Sequence, residues 1–392
     1  MRIVLAAEAI KPPLTGIGRY AWELAARLPE HQAVQSVRYL AHGHWKTLDE
    51  LAKSLSWEKD GSADGISKGK RFYRCLARSR LVGSIYGFLA PKLTGLRVNP
   101  REVDLFHGPN YFVPDLDVPC VVTIHDLSTF INPAWHLAHR AVRINRLITK
   151  SIACAKIVIT DSQSTRREVM NYFGLPENRV VAVPLGVDTA FRPRNAGDLR
   201  FPLARYGLQP GGYCLCVSTI EPRKNILRLI SAYRGLPAAI RNNWPLVLVG
   251  EPGWNSAAIH DAVKQAAREG WLKYLGFVPQ SLLPLLYAGC RLFVYPSLYE
   301  GFGLPVAEAM ASGVPVLTSN RSSMPEVAGG AAMLVEPEDD EAIRDGLLAA
   351  IEDELWRAEA VSSGLRRAAE LSWEACVAKT VEVYGMALKK SK

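Results

Sequence analysis

Glu300 and Glu308 stand eight positions apart within Pro296-Ser-Leu-Tyr-Glu-Gly-Phe-Gly-Leu-Pro-Val-Ala-Glu-Ala-Met-Ala-Ser-Gly313. Apolar runs on either side, Arg291–Tyr295 and Val314–Thr318, read as consecutive buried parallel strands. Pro305 suits the first position of a short helix and Gly313 its end, giving strand, glycine loop, helix, strand. The amides of Phe302, Gly303 and Leu304 then lie at or beside a helix N-terminus, where phosphate binds readily. Glu308 shares its helix with Val306, Ala307, Ala309, Met310 and Ala311, and a carboxylate there is costly unless something hydrogen-bonds it. Two glutamates so placed can hold two parts of one polar ligand.

A second constellation is Glu221-Pro-Arg223-Lys224-Asn225, between an apolar run ending at Ser218 and a helical run from Ile226 to Tyr233. Two cations at a helix N-terminus oppose its dipole, and an external diphosphate between them removes the conflict. His125 closes the run Val121–Ile124, and His107 ends the previous apolar run by the same logic. Gly16-Ile-Gly18-Arg-Tyr-Ala21 spells a dinucleotide fingerprint. Two facts count against that reading: Pro12 and Pro13 separate it from the first strand, and no acid lies between Glu30 and Asp49. Asp115-Leu-Asp117 lies in a turn between Pro114 and Pro119 and reads as chance. His136 and His139 have helical spacing but no third ligand nearby, and no CxxC occurs, so no metal site is expected.

The elements that must position these groups alternate. Strands are expected at Arg2–Ala7, Val37–Ala41, Val103–Phe106, Cys120–Ile124, Ile157–Thr160 and Val180–Val183, with helices at Ile17–Leu28, Arg140–Ala155 and Ser164–Phe173. The second half repeats the pattern with strands at Tyr213–Ser218, Pro245–Val249, Leu272–Leu275, Leu292–Tyr295, Val314–Thr318 and Ala332–Val335. Alternation of this kind predicts an α/β protein of two doubly wound parallel sheets. Prolines and glycines accumulate over 186–211, which reads as the join, and domains of 1–192 and 193–372 with a terminal helix over 373–392 follow.

The Glu-x7-Glu arrangement, with its flanking Pro-Ser, Gly-Phe-Gly-Leu-Pro and Gly-Val-Pro-Val, resembles the signature of glycosyltransferase family four, retaining enzymes of the GT-B fold. The resemblance spans nearly the whole chain and is densest from 213 to 337; the 44–101 region matches only in being variable. It implies two Rossmann-like domains facing across a cleft, the terminal helix crossing back onto the first. It implies that Glu300 holds donor-sugar hydroxyls and Glu308 the ribose diol, and that Arg223 and Lys224 stabilise the departing diphosphate. His125 would contact the donor sugar through its backbone or ring. The glycine turn of Gly16 and Gly18 would approach the donor phosphates and acceptor, and backbone atoms near Val278 the nucleobase. The first domain would take the acceptor and the second a nucleotide sugar, with no cofactor and no metal. Thr15-Gly-Ile-Gly-Arg-Tyr20, His107-Gly-Pro-Asn110 and Ile124-His-Asp-Leu-Ser128 look like bacterial mannosyl- and rhamnosyltransferases of polysaccharide assembly. GDP-mannose is therefore the expected donor, with GDP-rhamnose, UDP-glucose or UDP-galactose as the alternative, and a glycan or polyprenyl-diphosphate-linked oligosaccharide the acceptor. A non-catalytic sugar-nucleotide or glycan-binding module and a phosphorylase-like pyridoxal phosphate enzyme are the competing classes; nothing points to the latter's lysine.

Composition bounds these readings. The 392 residues suffice for two substantial cores. Seven scattered cysteines argue for a reducing compartment rather than a disulfide framework. No run of 18 apolar residues occurs, and Met1–Ala7 reads as a first strand rather than a leader. The net charge of +9 belongs entirely to residues 1–192, with 26 Lys and Arg against 17 Asp and Glu; residues 193–392 hold 21 of each. Within 66–101 there are nine basic residues and no acid, interleaved with Phe72, Tyr73, Ile85, Tyr86 and Phe88. That composition predicts an anionic membrane surface as a partner, and the family resemblance implies a peripheral place on the cytoplasmic face of the inner membrane. Nucleic acid is not expected, since no motif for it accompanies the charge.

Overall fold

The computed structural model describes residues 1–14, 16–56 and 97–389. The basic segment 66–101 therefore lies, up to residue 96, outside the described residues. Thirteen strands among those described form two sheets. The first contains β1 (Arg2–Ala6), β2 (Ser36–Ala41), β3 (His44–Lys46), β4 (Leu105–Gly108), β5 (Cys120–Ile124), β6 (Ile157–Thr160) and β7 (Val180–Ala182), in the order β3-β2-β1-β4-β5-β6-β7. The second contains β8 (Cys214–Val217), β9 (Leu246–Val249), β10 (Leu272–Gly276), β11 (Leu292–Tyr295), β12 (Val316–Ser319) and β13 (Met333–Val335), in the order β10-β9-β8-β11-β12-β13. All pairings are parallel except the β2–β3 hairpin. β3 went unseen in the sequence because three residues with one central apolar side chain carry too short an alternation to read.

Successive strand residues feed different cores, as a sheet covered on both faces requires. Ile3 and Leu5 join one apolar cluster while Val4 and Ala6 join another on the opposite face. In the second sheet Leu215, Val247 and Val249 face the first of these clusters, and Cys214, Cys216, Leu246 and Leu248 face a third. The cluster holding Ile3 runs on through Trp373, Val377 and Tyr384 to Tyr213 and Phe293, so one core links both sheets.

That link is made by the helix Trp373–Lys389, which lies against β5, β6 and the helix Gly16–Arg27 of the first sheet. The two passages between the sheets run side by side. The Val187 amide donates to the Leu371 carbonyl at 2.9 Å, and a Cβ on Gly186 would lie 2.2 Å from the Trp373 nitrogen. Within the join at 186–211, residues Ala196–Ala204 form a helix despite Pro202. Leu199 and Leu203 are buried, and a Cβ on Gly289 would meet Leu203 at 2.5 Å, so packing outweighs the proline.

Candidate active site

In an open α/β sheet a crevice forms where strand order reverses, beyond the carboxyl ends of the strands. The first sheet reverses between β1 and β4, the second between β8 and β11. The helix Gly16–Arg27 follows β1, and His125 follows β5. Glu221–Asn225 follow β8, and Pro296–Gly303 follow β11. Both constellations read from the sequence therefore sit at the second switch point, and the two crevices face each other.

Arg223 ends in a fork between two carboxylates, donating from Nη1 to Glu300 at 2.8 Å and from Nη2 to Glu221 at 3.0 Å. Lys224 Nζ donates to the other Glu300 oxygen at 2.5 Å and to the Tyr295 hydroxyl at 2.8 Å; that hydroxyl donates to Glu300 in turn. Burial favours the neutral acid at Glu300, but Arg223 and Lys224 outweigh it and hold the carboxyl down at about 2. In this structure both cations are engaged by protein carboxylates and belong to a compensated cluster. Asn225, at φ +59°, donates to the carbonyls of Pro296 and Pro337, and the Leu298 amide donates to the Arg223 carbonyl at 2.9 Å. These bonds lace the two loops together.

The glycine loop turns at Gly303, whose φ of +103° favours glycine, and enters the helix Leu304–Ala311 with Pro305 in its first turn. The Gly303 and Leu304 amides stand where a helix supplies no acceptor of its own. Phe302 is buried, its carbonyl accepting from Ser323 Oγ at 2.8 Å. Glu308 lies one turn further on. Burial pushes its carboxyl up to about 7, against the pull of the Tyr287 hydroxyl and Arg19. Gly16 reaches the same place from the other domain, its Cβ position lying 3.8 Å from the Leu304 side chain. Gly18 is buried in the helix behind it. Val278 follows β10, two strands away from the switch point, with its side chain in the core.

His125 is held on both sides. Nδ1 lies 2.7 Å from Asp161 and Nε2 lies 2.8 Å from the Pro109 carbonyl, while Tyr20 and Tyr111 present ring edges. Burial opposes charge on the ring, yet Asp161 and the carbonyl raise its pKa overall. Neither ring nitrogen is left to face a ligand, so contact across the cleft falls to its backbone: a Cβ on Gly301 would stand 1.7 Å from the His125 carbonyl oxygen. His107 sits inside β4, fully buried between Tyr384 and Thr123, and burial depresses it to about 3. It belongs to the core and not to the crevice.

Several groups that meet here were not singled out from the sequence. Ser162 Oγ and Thr165 Oγ1 donate to the Gly301 carbonyl at 2.7 and 3.1 Å. Glu326 accepts from the Gln163 and Ser164 amides, closing the start of a helix in the other domain. Tyr299 donates to Glu168 and accepts from the Leu127 amide, and Trp254 donates to the Trp135 carbonyl. Asp161 and Ser162 directly follow the apolar run of β6, a position where polar residues border the crevice. That was the available signal. The exposed Asp115 and Asp117 approach none of this, and no metal-binding group of three acids, histidines or cysteines occurs among the described residues.

Residues 14–191 match the family pattern described as Glycosyltransferase Family 4, and residues 209–367 that described as Glycosyl transferases group 1. The chain is 38% identical over 384 residues, 98% of its length, to the O-antigen chain mannosyltransferase B of Escherichia coli, covering 99% of that protein. It is 34% identical over 297 residues to the serotype-specific mannosyltransferase WbdA of Escherichia coli, spanning 73% of this chain and 36% of that one. Among solved structures, WaaG, a glycosyltransferase involved in lipopolysaccharide biosynthesis, superposes with a TM-score of 0.71 at 13% identity over 97% of this chain and 99% of that one. HepE of Anabaena in complex with UDP-glucose superposes at 0.70 and 18% identity over 98% of this chain and 99% of its own. The fold and site define a two-domain GT-B glycosyltransferase. The chain belongs to glycosyltransferase family four, and it is an enzyme of that class.

Proposed function

We propose that the protein transfers a hexose, mannose from GDP-mannose, with retention of configuration, to a glycan or lipid-linked glycan during cell-surface polysaccharide assembly. The observation that carries the reading is the Glu300–Arg223–Lys224 cluster at one switch point, next to Gly301, which meets His125, Ser162 and Thr165 of the other domain. The donor diphosphate takes Arg223, Lys224 and the Gly303 and Leu304 amides, so charge that grows on the leaving group meets donors already in place. Glu300, relieved of one or both cations, accepts sugar hydroxyls, while Glu308 accepts the ribose diol. Arg223 and Lys224 supply the charge that a metal supplies in other transferases. The acceptor enters from the first domain, whose Gly16 turn and His125 carbonyl border the reacting carbon. Mannose as the sugar rests on the two named mannosyltransferases, which are 38% and 34% identical.

A thermal-shift panel of GDP, UDP, ADP and dTDP tests the donor, because a ligand bound only by the native state raises stability by mass action. GDP is expected to give the largest shift. A larger shift with UDP would replace GDP-mannose with a UDP-sugar, and no shift with any of the four would contradict nucleotide binding altogether.

A further inference from the structure

Between Asp126 and Asp161 the chain contains no acid, while Arg140, Arg143, Arg146, Lys150 and Lys156 are present. Half of this stretch is the helix Ala138–Cys154. Ala141, Ile148, Ser151 and Ile152 face inward; His139, Val142, Arg143, Arg146, Thr149 and Lys150 face solvent. A solvated helix face normally interleaves charges of both signs. Three arginines elsewhere have such partners: Arg228 pairs with Asp340, Arg321 with Glu336 and Arg367 with Glu370. Arg143, Arg146 and Lys150 form no ion pair among the described residues.

Large apolar side chains border the same face. Val142 is 61% exposed, Tyr172 58%, Ile131 48% and Leu137 39%. They form one surface, since Asn145 of the helix donates to the Thr129 carbonyl and Phe130 meets the Tyr172 ring at 4.8 Å. An unbalanced cationic stripe beside exposed aliphatic and aromatic side chains is matched by a surface that offers anions above hydrocarbon. At its near end Arg140 lies 4.6 Å from the centre of the Trp254 ring, so this face adjoins the rim of the cleft.

We infer that the helix Ala138–Cys154, with Ile131, Leu137 and Tyr172 beside it, docks the enzyme on an anionic phospholipid bilayer and so presents the cleft to a lipid-linked acceptor. The docking surface is separate from the donor assignment, and nucleotide binding measured on the same variants reports on that assignment independently. The test is co-sedimentation with vesicles of phosphatidylglycerol and phosphatidylcholine against vesicles of phosphatidylcholine alone. The full chain is compared with Arg143→Ser/Arg146→Ser/Lys150→Ser and with Val142→Ser/Tyr172→Ser. Wild type is expected to bind the anionic vesicles only, weakening as salt rises. The triple variant is expected to bind on the order of 100-fold more weakly, with a flatter salt dependence. The apolar variant is expected to bind more weakly with the salt dependence retained. All these side chains are exposed, so melting temperature and GDP binding are expected to stay unchanged. A triple variant that sediments like wild type overturns the inference. So does loss of binding only when Lys70, Arg71, Arg74 and Arg78 are changed to Ser, or a wild type that binds neither vesicle.

Discussion

Glu308 and Glu300 are carboxylates driven in opposite directions by what surrounds them. Folding raises the Glu308 pKa from its ordinary 4.5 to about 7, so its contribution to stability is present below 4.5 and lost as pH rises through about 7. A ribose diol donates to the ionised form, so nucleotide affinity is expected to fall as pH drops below about 7. Glu308→Gln is expected to bind nucleotide weakly with that pH dependence gone, and to be more stable than wild type at pH 8 but not at pH 4. Calorimetric titration and thermal melts across this range check both; an unchanged pH profile in the variant would remove Glu308 from the binding site. Glu300 is different because Lys224 is buried with it and Arg223, partly buried, pairs with it as well. Glu300→Ala leaves both cations short of a partner and is expected to cost about 3–5 kcal/mol of stability besides lowering turnover. Denaturant unfolding checks the first effect, and wild-type stability would mean that the cluster relaxes around the loss.

At the scale of elements, legibility followed locality. The loop 296–303 and its helix were readable because strand, glycine, proline and glutamate stand in one unbroken stretch, and Glu221–Asn225 for the same reason. Asp161, Ser162, Glu168 and Trp135 were not, because their partners lie 36 to 139 positions away and no local pattern records such a pairing. His125 shows both sides: its place at a strand end was readable, but the engagement of both ring nitrogens was not. The contact of Gly301 with the His125 carbonyl makes a prediction. Gly301→Ala puts a methyl group 1.7 Å from that oxygen and prevents the two domains from meeting as they do here. Turnover is expected to fall at least about 100-fold, since closure sets the geometry of the reacting groups, while nucleotide affinity changes little. Steady-state rates with a nucleotide titration decide it; full activity would show that this contact is dispensable.

At the scale of the molecule, the helix Trp373–Lys389 fastens the chain's end to its beginning. The Tyr384 hydroxyl lies 2.7 Å from His107 Nδ1, and His107 in turn meets Thr123, which meets Tyr20. Tyr384→Phe leaves a buried ring nitrogen without a partner and is expected to cost about 1–3 kcal/mol in denaturant unfolding, with the fold intact. The largest question is whether two facing crevices and one charge cluster carry out sugar transfer. Release of GDP from GDP-mannose, followed for wild type and Arg223→Ala with and without EDTA, addresses it most directly. Wild type is expected to release GDP at a rate EDTA leaves unchanged, and Arg223→Ala to do so at least about 100-fold more slowly. No nucleoside diphosphate released from any sugar nucleotide, or an Arg223→Ala variant as fast as wild type, would contradict the account.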